Sequence, residues 1–111
     1  MLRERLMIEC ESKIDLIDVG KVIQIFNDSV VTEFHMSNGE KLICSKSIKF
    51  FETKLPQYFY KTNRNTIINL MYVVKVNKKS RTITLTNNNT ATISVRNLKG
   101  LLEHLRKNTL H

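Results

Sequence analysis

The sequence has little cysteine, glycine and proline and no tryptophan. With only two cysteines, three glycines and one proline in 111 residues, the collagen-like, low-complexity and disulfide-scaffold classes are excluded. Glycines stand only at positions 20, 39 and 100, which excludes a glycine-rich phosphate loop. Cys10 and Cys44 each lie in an apolar run, where a reduced thiol behaves as a small hydrophobe. Nowhere do about 18 uncharged apolar residues run together, so we expect a soluble cytoplasmic protein with no membrane partner.

The chain is long enough for one hydrophobic core. Its 111 residues, 41% of them hydrophobic, fall between benchmarks of about 60 and about 150 residues, so about two thirds of the unfolded surface should be buried. The hydrophobic content is also too high for a disordered tail. We therefore expect residues 1–111 to form a single domain.

Residues that could carry catalysis or hold a metal are scattered along the chain. His35, His104 and His111 have no partner at catalytic or metal-ligand spacing. Glu9 and Glu11 fall on one face of a predicted strand, and alternation places that face in solvent. The sequence therefore predicts a protein that is not an enzyme and that needs no cofactor.

Acidic residues are almost absent from the second half of the chain. Residues 56–111 hold ten Lys and Arg against Glu103 alone, a net charge of +9, whereas residues 1–55 hold eight against nine, a net charge of −1. Such an imbalance is typical of a protein that binds a polyanion, most often nucleic acid or an anionic membrane surface. The alternative is a solvated lysine-rich face that only maintains solubility.

Alternation of β-branched and polar residues predicts a mainly β fold. The Asn38-Gly39 dipeptide between two apolar runs is typical of a tight hairpin. Polar turns separate the later runs. Nine short strands are predicted, over residues 6–11, 21–26, 30–36, 40–44, 59–61, 65–68, 73–76, 81–86 and 90–95.

In two segments the apolar residues recur with the spacing of a helix instead of that of a strand. Ser47 can cap a short internal helix over residues 47–55, which Pro56 ends. Asn97 can cap a C-terminal helix over residues 97–107. The apolar stripe of this second helix consists of Leu98, Leu101, Leu102 and Leu105. We expect both Leu101 and Leu102 to be buried.

Two basic loops contain the candidate nucleic-acid contacts. The first carries Lys61, Asn63, Arg64 and Asn65 between two strands; a guanidinium suits guanine edges, phosphates or a narrow minor groove, and asparagine can donate and accept at base edges. The second carries Arg96, which is predicted to precede the cap of the last helix, near the positive end of its dipole. Candidate phosphate contacts at loop or strand-end positions are Lys46, Lys61, Lys75, Lys78 and Lys79.

The order of these motifs resembles the LytTR DNA-binding domain over nearly the whole chain. Hydrophobic strands, the Asn-Gly hairpin, the short helix before Pro56 and the Ser94-Val95-Arg96 segment carry the resemblance. The family's central motif usually runs Phe-x-Arg-x-His-Arg-Ser-x-Ile-Val-Asn. The corresponding residues here are Phe59, Lys61, Asn63, Arg64, Asn65, Ile67, Ile68 and Asn69, which depart from the motif at Lys61, Asn63, Asn65 and Ile68.

The resemblance implies an elongated sandwich of short β-sheets whose loops enter successive grooves of duplex DNA. Arg64 matches the position that contacts DNA from its loop, and Arg96 matches the basic residue that reads the major groove. A third contact usually comes from the loop at residues 27–30, which is not basic here, so no residue is assigned there. Members are commonly output domains of response regulators. We therefore expect sequence-specific DNA binding by a bacterial transcription regulator, either stand-alone or separated from its receiver domain.

Two other functions remain open. A β-rich protein-interaction module would pair with another regulator through a sheet edge without binding DNA itself. A non-specific RNA binder would need exposed aromatic platforms, whereas few of the aromatics in residues 58–72 are expected to face solvent. The candidate protein partners are a second copy of the chain, bound on direct repeats, or a partner regulator.

Overall fold

The structure is a computed structural model that describes residues 4–9 and 11–111. Within this part of the chain it contains ten strands: β1 (Arg5–Glu9), β2 (Ile14–Asp18), β3 (Val22–Asn27), β4 (Thr32–Met36), β5 (Lys41–Cys44), β6 (Phe59–Asn63), β7 (Thr66–Asn69), β8 (Val73–Asn77), β9 (Thr82–Leu85) and β10 (Thr90–Thr92). The helices are α1 (Ile48–Glu52) and α2 (Val95–Asn108), with 3₁₀ turns at Val19–Lys21, Leu70–Tyr72 and Thr86–Asn88. The predicted fold class, mainly β with one short internal and one C-terminal helix, is confirmed.

The strands form three antiparallel sheets. Strands β1 and β2 pair with each other, the order β5-β4-β3-β7-β6 makes a five-stranded sheet, and β10-β9-β8 makes a three-stranded sheet. The extents along the principal axes are 45 × 36 × 25 Å. The five-stranded sheet is the central layer, and the other elements cover its two faces.

The hydrophobic core lies on both faces of the central sheet. One cluster, which includes Ile67, Phe34 and Phe51, packs the sheet against β1, β2 and α1. The other cluster, which includes Ile68 and Leu101, packs the sheet against the three-stranded sheet and α2. Ile67 and Ile68 are neighbours in β7 and point to opposite faces because side chains alternate along a strand. Burial on both faces explains why β7 is apolar at consecutive positions.

The strand predictions were wrong mainly in the first twenty residues. Strand β2 was not predicted, because only Ile17 of its five residues is buried and the alternation in the sequence is correspondingly weak. Strand β1 ends at Glu9, two residues earlier than predicted, and Cys10 lies outside the described residues. Glu9 is exposed, as expected.

The helix ends also differ from the predictions. Ser47 caps α1 as predicted, its hydroxyl accepting from the Phe50 backbone N–H at 3.2 Å, but α1 ends at Glu52. Helix α2 starts at Val95 because Ser94, not Asn97, is its cap; the Ser94 hydroxyl accepts from the Asn97 N–H at 3.2 Å. The strand predicted over residues 90–95 therefore ends at Thr92.

Leu101 and Leu102 of α2 differ in burial. Leu101 is 0% exposed in the second cluster, whereas Leu102 is only partly buried, so the prediction for Leu102 was wrong.

Leu101→Ala should lower the free energy of unfolding by about 2–5 kcal/mol because it leaves a cavity. Leu102→Ala, the matched control on the next residue, should cost clearly less. Denaturant unfolding of both variants checks this, and equal losses would contradict the packing described here.

Candidate nucleic-acid interface

One end of the central sheet gathers three of its connections. Phe26 of β3 pairs with Thr66 of β7, and Thr32 of β4 pairs with Cys44 of β5. The β3–β4 loop, the β5–α1 connection and the β6–β7 turn therefore emerge side by side, one strand spacing of about 4.8 Å from one another.

The three-stranded sheet presents two more connections at this same end. Thr82 of β9 pairs with both Asn77 and Thr92, so the β8–β9 turn and the start of α2 leave the sheet together. The side-chain amide of Asn63 donates to the Thr92 backbone carbonyl at 3.1 Å, which joins this sheet to the β6–β7 turn. We call this surface, formed by residues 28–31, 45–47, 64–65, 78–81 and 93–96, the loop end.

Two hydrogen bonds to one backbone carbonyl fix the two basic loops to each other. The Thr62 carbonyl accepts from the Ser94 N–H at 3.0 Å and from the Asn97 side-chain amide at 3.2 Å. Thr62 is fully buried and lies at an irregularity in the pairing of β6 with β7. The β6–β7 turn therefore has a defined position relative to the first turn of α2.

Arg64 and Arg96 line the same shallow cleft. The cleft has a volume of about 470 Å³ and is lined by Lys61, Asn63, Arg64, Ser94, Arg96 and Asn97. Both arginines are exposed, and neither forms an ion pair with a residue in the described ranges 4–9 and 11–111. Two guanidinium groups are thus free to bind an anionic ligand that spans the cleft.

Arg96 lies inside α2 and not before its cap, so that part of the prediction was wrong. The cap is Ser94, which makes Arg96 the second residue of the helix. The first turn of α2 contains no acidic residue. The unpaired N–H groups of that turn and the guanidinium of Arg96 therefore act together in favouring an anion.

Tyr60 and Gly100 fix the start of α2 on the central sheet. The Tyr60 hydroxyl donates to the Asn97 carbonyl at 2.8 Å. Burial is the main cause that raises the pKa of Tyr60, with the nearby Glu103 carboxylate adding to it, so this hydroxyl remains a donor at neutral pH. A Cβ at position 100 would lie 2.5 Å from the Tyr60 hydroxyl oxygen. This close approach explains a glycine inside a helix, where it costs about 1 kcal/mol relative to alanine.

Other predicted site residues of the first loop are committed to contacts within the protein. Lys61 pairs with Glu52, with 3.1 Å between Nζ and Oε2. The Asn63 side-chain oxygen Oδ1 accepts from the Asn65 backbone N–H at 2.8 Å, while its side-chain NH2 donates to Thr92. Asn63 therefore holds the turn in shape, and the exposed side chain of Asn65 stays available.

Apart from Lys61, which is only partly exposed, the predicted phosphate-binding lysines are all exposed but differ in position. Lys78 and Lys79 lie in the β8–β9 turn, at the loop end. Lys46 lies in the β5–α1 connection, with its Nζ 4.9 Å from the centre of the Phe50 ring. Lys75 lies within β8, two residues before the strand ends.

The sequence interpretation missed Arg81. It was assigned to a strand, but it closes the β8–β9 turn with a positive φ of 55°. Its carbonyl accepts from the Ile93 N–H at 3.1 Å, which places it beside the start of α2. The signal that could have found it is the run of three cations in residues 78–81, read as one basic turn.

One carboxylate lies among these cations. Asp28 accepts from the backbone N–H groups of Val30 and Val31, both at 3.0 Å. The bond from Val31, followed by that from Val30, lowers the pKa of Asp28 below its ordinary value. The carboxylate is therefore ionised at neutral pH, and its role is to shape the β3–β4 loop.

The described residues contain no group of three or more His, Cys, Asp or Glu side chains placed to hold a metal ion. Over the same part of the chain, no helix is long and apolar enough to cross a bilayer.

Exposed cations clustered on one face of a domain are typical of proteins that bind nucleic acid. The family model described as the LytTr DNA-binding domain matches residues 12–106. Because this match covers most of the chain, the protein belongs to the LytTr DNA-binding domain family. The family binds DNA, which points to a non-enzymatic role.

A solved structure supports the fold. The chain is similar to the LytTr DNA-binding domain of a protein from Bacillus cereus described as a methyl-accepting/DNA response regulator, with a TM-score of 0.71 and 16% sequence identity. The similarity covers 95% of each chain. No curated protein sequence is significantly similar to this one.

The contact between Tyr60 and Gly100 gives a sharp test of how α2 is held. Gly100→Ala should destabilise the protein despite the better helix propensity of alanine, because the new Cβ clashes with the Tyr60 hydroxyl. In a Tyr60→Phe background the Cβ meets only a ring carbon at 3.7 Å, so the same substitution should stabilise by up to about 1 kcal/mol. Thermal unfolding of the four proteins measures both effects. A change in stability of the same sign in both backgrounds would refute this explanation of Gly100.

Proposed function

We propose that the protein binds duplex DNA sequence-specifically through the loop end, as the DNA-binding part of a bacterial transcription regulator. The observation that carries this proposal is the shared cleft of Arg64 and Arg96, two exposed guanidinium groups without an ion pair in the described part of the chain. Membership of a DNA-binding family supports it. In this proposal the protein acts in the cytoplasm, as the output domain of a response regulator.

Charge at the loop end supports contact with phosphates. Six cations lie there, while Asp28 is the acidic residue of the loops that form it; the cations are Lys46, Arg64, Lys78, Lys79, Arg81 and Arg96. We assign the lysines and Arg81 to phosphates, with Lys75 as a further contact from the adjoining strand. Lys61 is a weaker candidate because it already neutralises Glu52.

The two arginines have different surroundings and therefore different proposed roles. Arg96 projects from the first turn of a 14-residue helix, and an arginine in that position can bind a guanine edge with two parallel hydrogen bonds in the major groove. Arg64 projects from the two-residue turn between β6 and β7, and we assign it to the minor groove, where narrow A·T-rich segments attract arginine. Asn65 adjoins it and is a candidate contact to the same strand.

Arginine substitutions should separate base recognition from general affinity. Arg96→Ala should cost about 1–3 kcal/mol on the selected duplex and little on a duplex already changed at the contacted base pair. Arg64→Ala should reduce the preference for A·T-rich spacing. Lys79→Ala should weaken all duplexes alike, and Lys41→Ala, on an exposed lysine away from the loop end, should change nothing.

Titration of each variant on selected and scrambled duplexes measures these differences. If some six phosphates are neutralised, raising salt from about 50 to about 200 mM should weaken wild-type binding by about 10³-fold. Equal losses on both duplexes for Arg64→Ala and Arg96→Ala would make both residues phosphate contacts. No loss on either duplex would remove them from the site.

The alternative function is a protein-interaction module, and one surface favours it. The outer face of the β1–β2 sheet exposes Met7, Ile14 and Leu16, each by more than half of its surface. A second copy of the chain or a partner regulator would use such a face. The absence of salt-dependent binding to any duplex DNA would favour this function over the first.

A further inference from the structure

The tip of the β3–β4 loop presents an apolar side chain to solvent. Val30 is 76% exposed, next to the exposed polar residues Asp28 and Ser29. It belongs to neither hydrophobic cluster of the core. The stability of the fold therefore gives no reason for a valine at this position.

Val30 lies beside the turn that carries Arg64. The backbone N–H of Asn27 donates to the carbonyl of Asn65 at 2.9 Å, so the β3–β4 loop and the β6–β7 turn are directly hydrogen-bonded. The two connections leave adjacent strands, about 4.8 Å apart. A ligand as wide as a DNA duplex that contacts Arg64 also reaches the tip of the β3–β4 loop.

The loop holds Val30 in one position. The Asp28 carboxylate accepts from the N–H groups of Val30 and Val31, and the Asn27 side-chain oxygen accepts from the Ser29 N–H at 2.8 Å. Ser29 has a φ of 86°, which turns the chain sharply before Val30. A loop that is already ordered loses little conformational entropy on binding.

The chemistry of the loop tip selects one kind of group on DNA. Valine can neither pair with phosphate nor read hydrogen-bond donors and acceptors, and the ionised Asp28 beside it repels phosphates. The apolar group that a base pair displays in the major groove is the C5 methyl of thymine. We propose that Val30 contacts a thymine methyl and so determines the base preferred at one position of the binding site. This inference rests on the proposed DNA-binding function.

Replacing thymine by deoxyuridine tests the proposal directly, because uracil keeps every hydrogen-bonding group and lacks only the methyl. A duplex is first selected from a random pool with the wild-type protein, and each thymine is then replaced in turn. At one position the replacement should weaken wild-type binding by about fourfold, the effect expected from exposing one methyl-sized apolar group. Val30→Ala should bind the original duplex about fourfold more weakly and no longer distinguish thymine from uracil there.

Val74→Ala is the matched control, since Val74 is 65% exposed on β8 and outside the loop end. It should keep the wild-type discrimination at every position. A selected duplex whose thymines can all be replaced without loss, or a loss that Val30→Ala leaves unchanged, would overturn this inference alone. Failure to select any duplex would overturn the proposed function and this inference with it.

Discussion

The hydrogen bonds between the β6–β7 turn and the start of α2 determine how the candidate interface is built. The Thr62 carbonyl, buried at an irregularity of β6, accepts from the Ser94 N–H and from the Asn97 side chain. Each bond adds only about 1 kcal/mol of stability. Together they join the central sheet to the layer that packs on it, and so fix the distance between the backbones that carry Arg64 and Arg96.

The neighbouring side chains serve this arrangement. The side-chain oxygen of Asn63 accepts within the turn while its side-chain NH2 donates to Thr92 of β10, and the Tyr60 hydroxyl holds the Asn97 carbonyl against the sheet. Gly100 permits the close approach of the helix. Polar residues that look suited to DNA in the sequence therefore act as supports, while the exposed arginines remain available.

Much of the fold could be predicted from local patterns, and the errors have physical reasons. The Asn38-Gly39 hairpin, the Ser47 cap and the helical stripe near the C-terminus depend on short-range rules that the sequence displays directly. Strand β2 buries a single side chain and so leaves almost no alternation to detect. Ser94 and Asn97 can both cap a helix; the choice between them depends on the tertiary bond that Asn97 makes to Thr62, which no local pattern reveals.

The proposed function requires that duplex DNA binds at the loop end and at no other part of the surface that the structure describes. Backbone amide chemical shifts, recorded by NMR while the selected duplex is added, test it most directly because the opposite ends of the same strands serve as an internal control. We expect large shift changes in the loop end, at residues 28–31, 45–47, 64–65, 78–81 and 93–96, and small ones at Gly39, Met71 and Asn87. Changes centred on the outer face of β1 and β2, with the loop end unaffected, would contradict it.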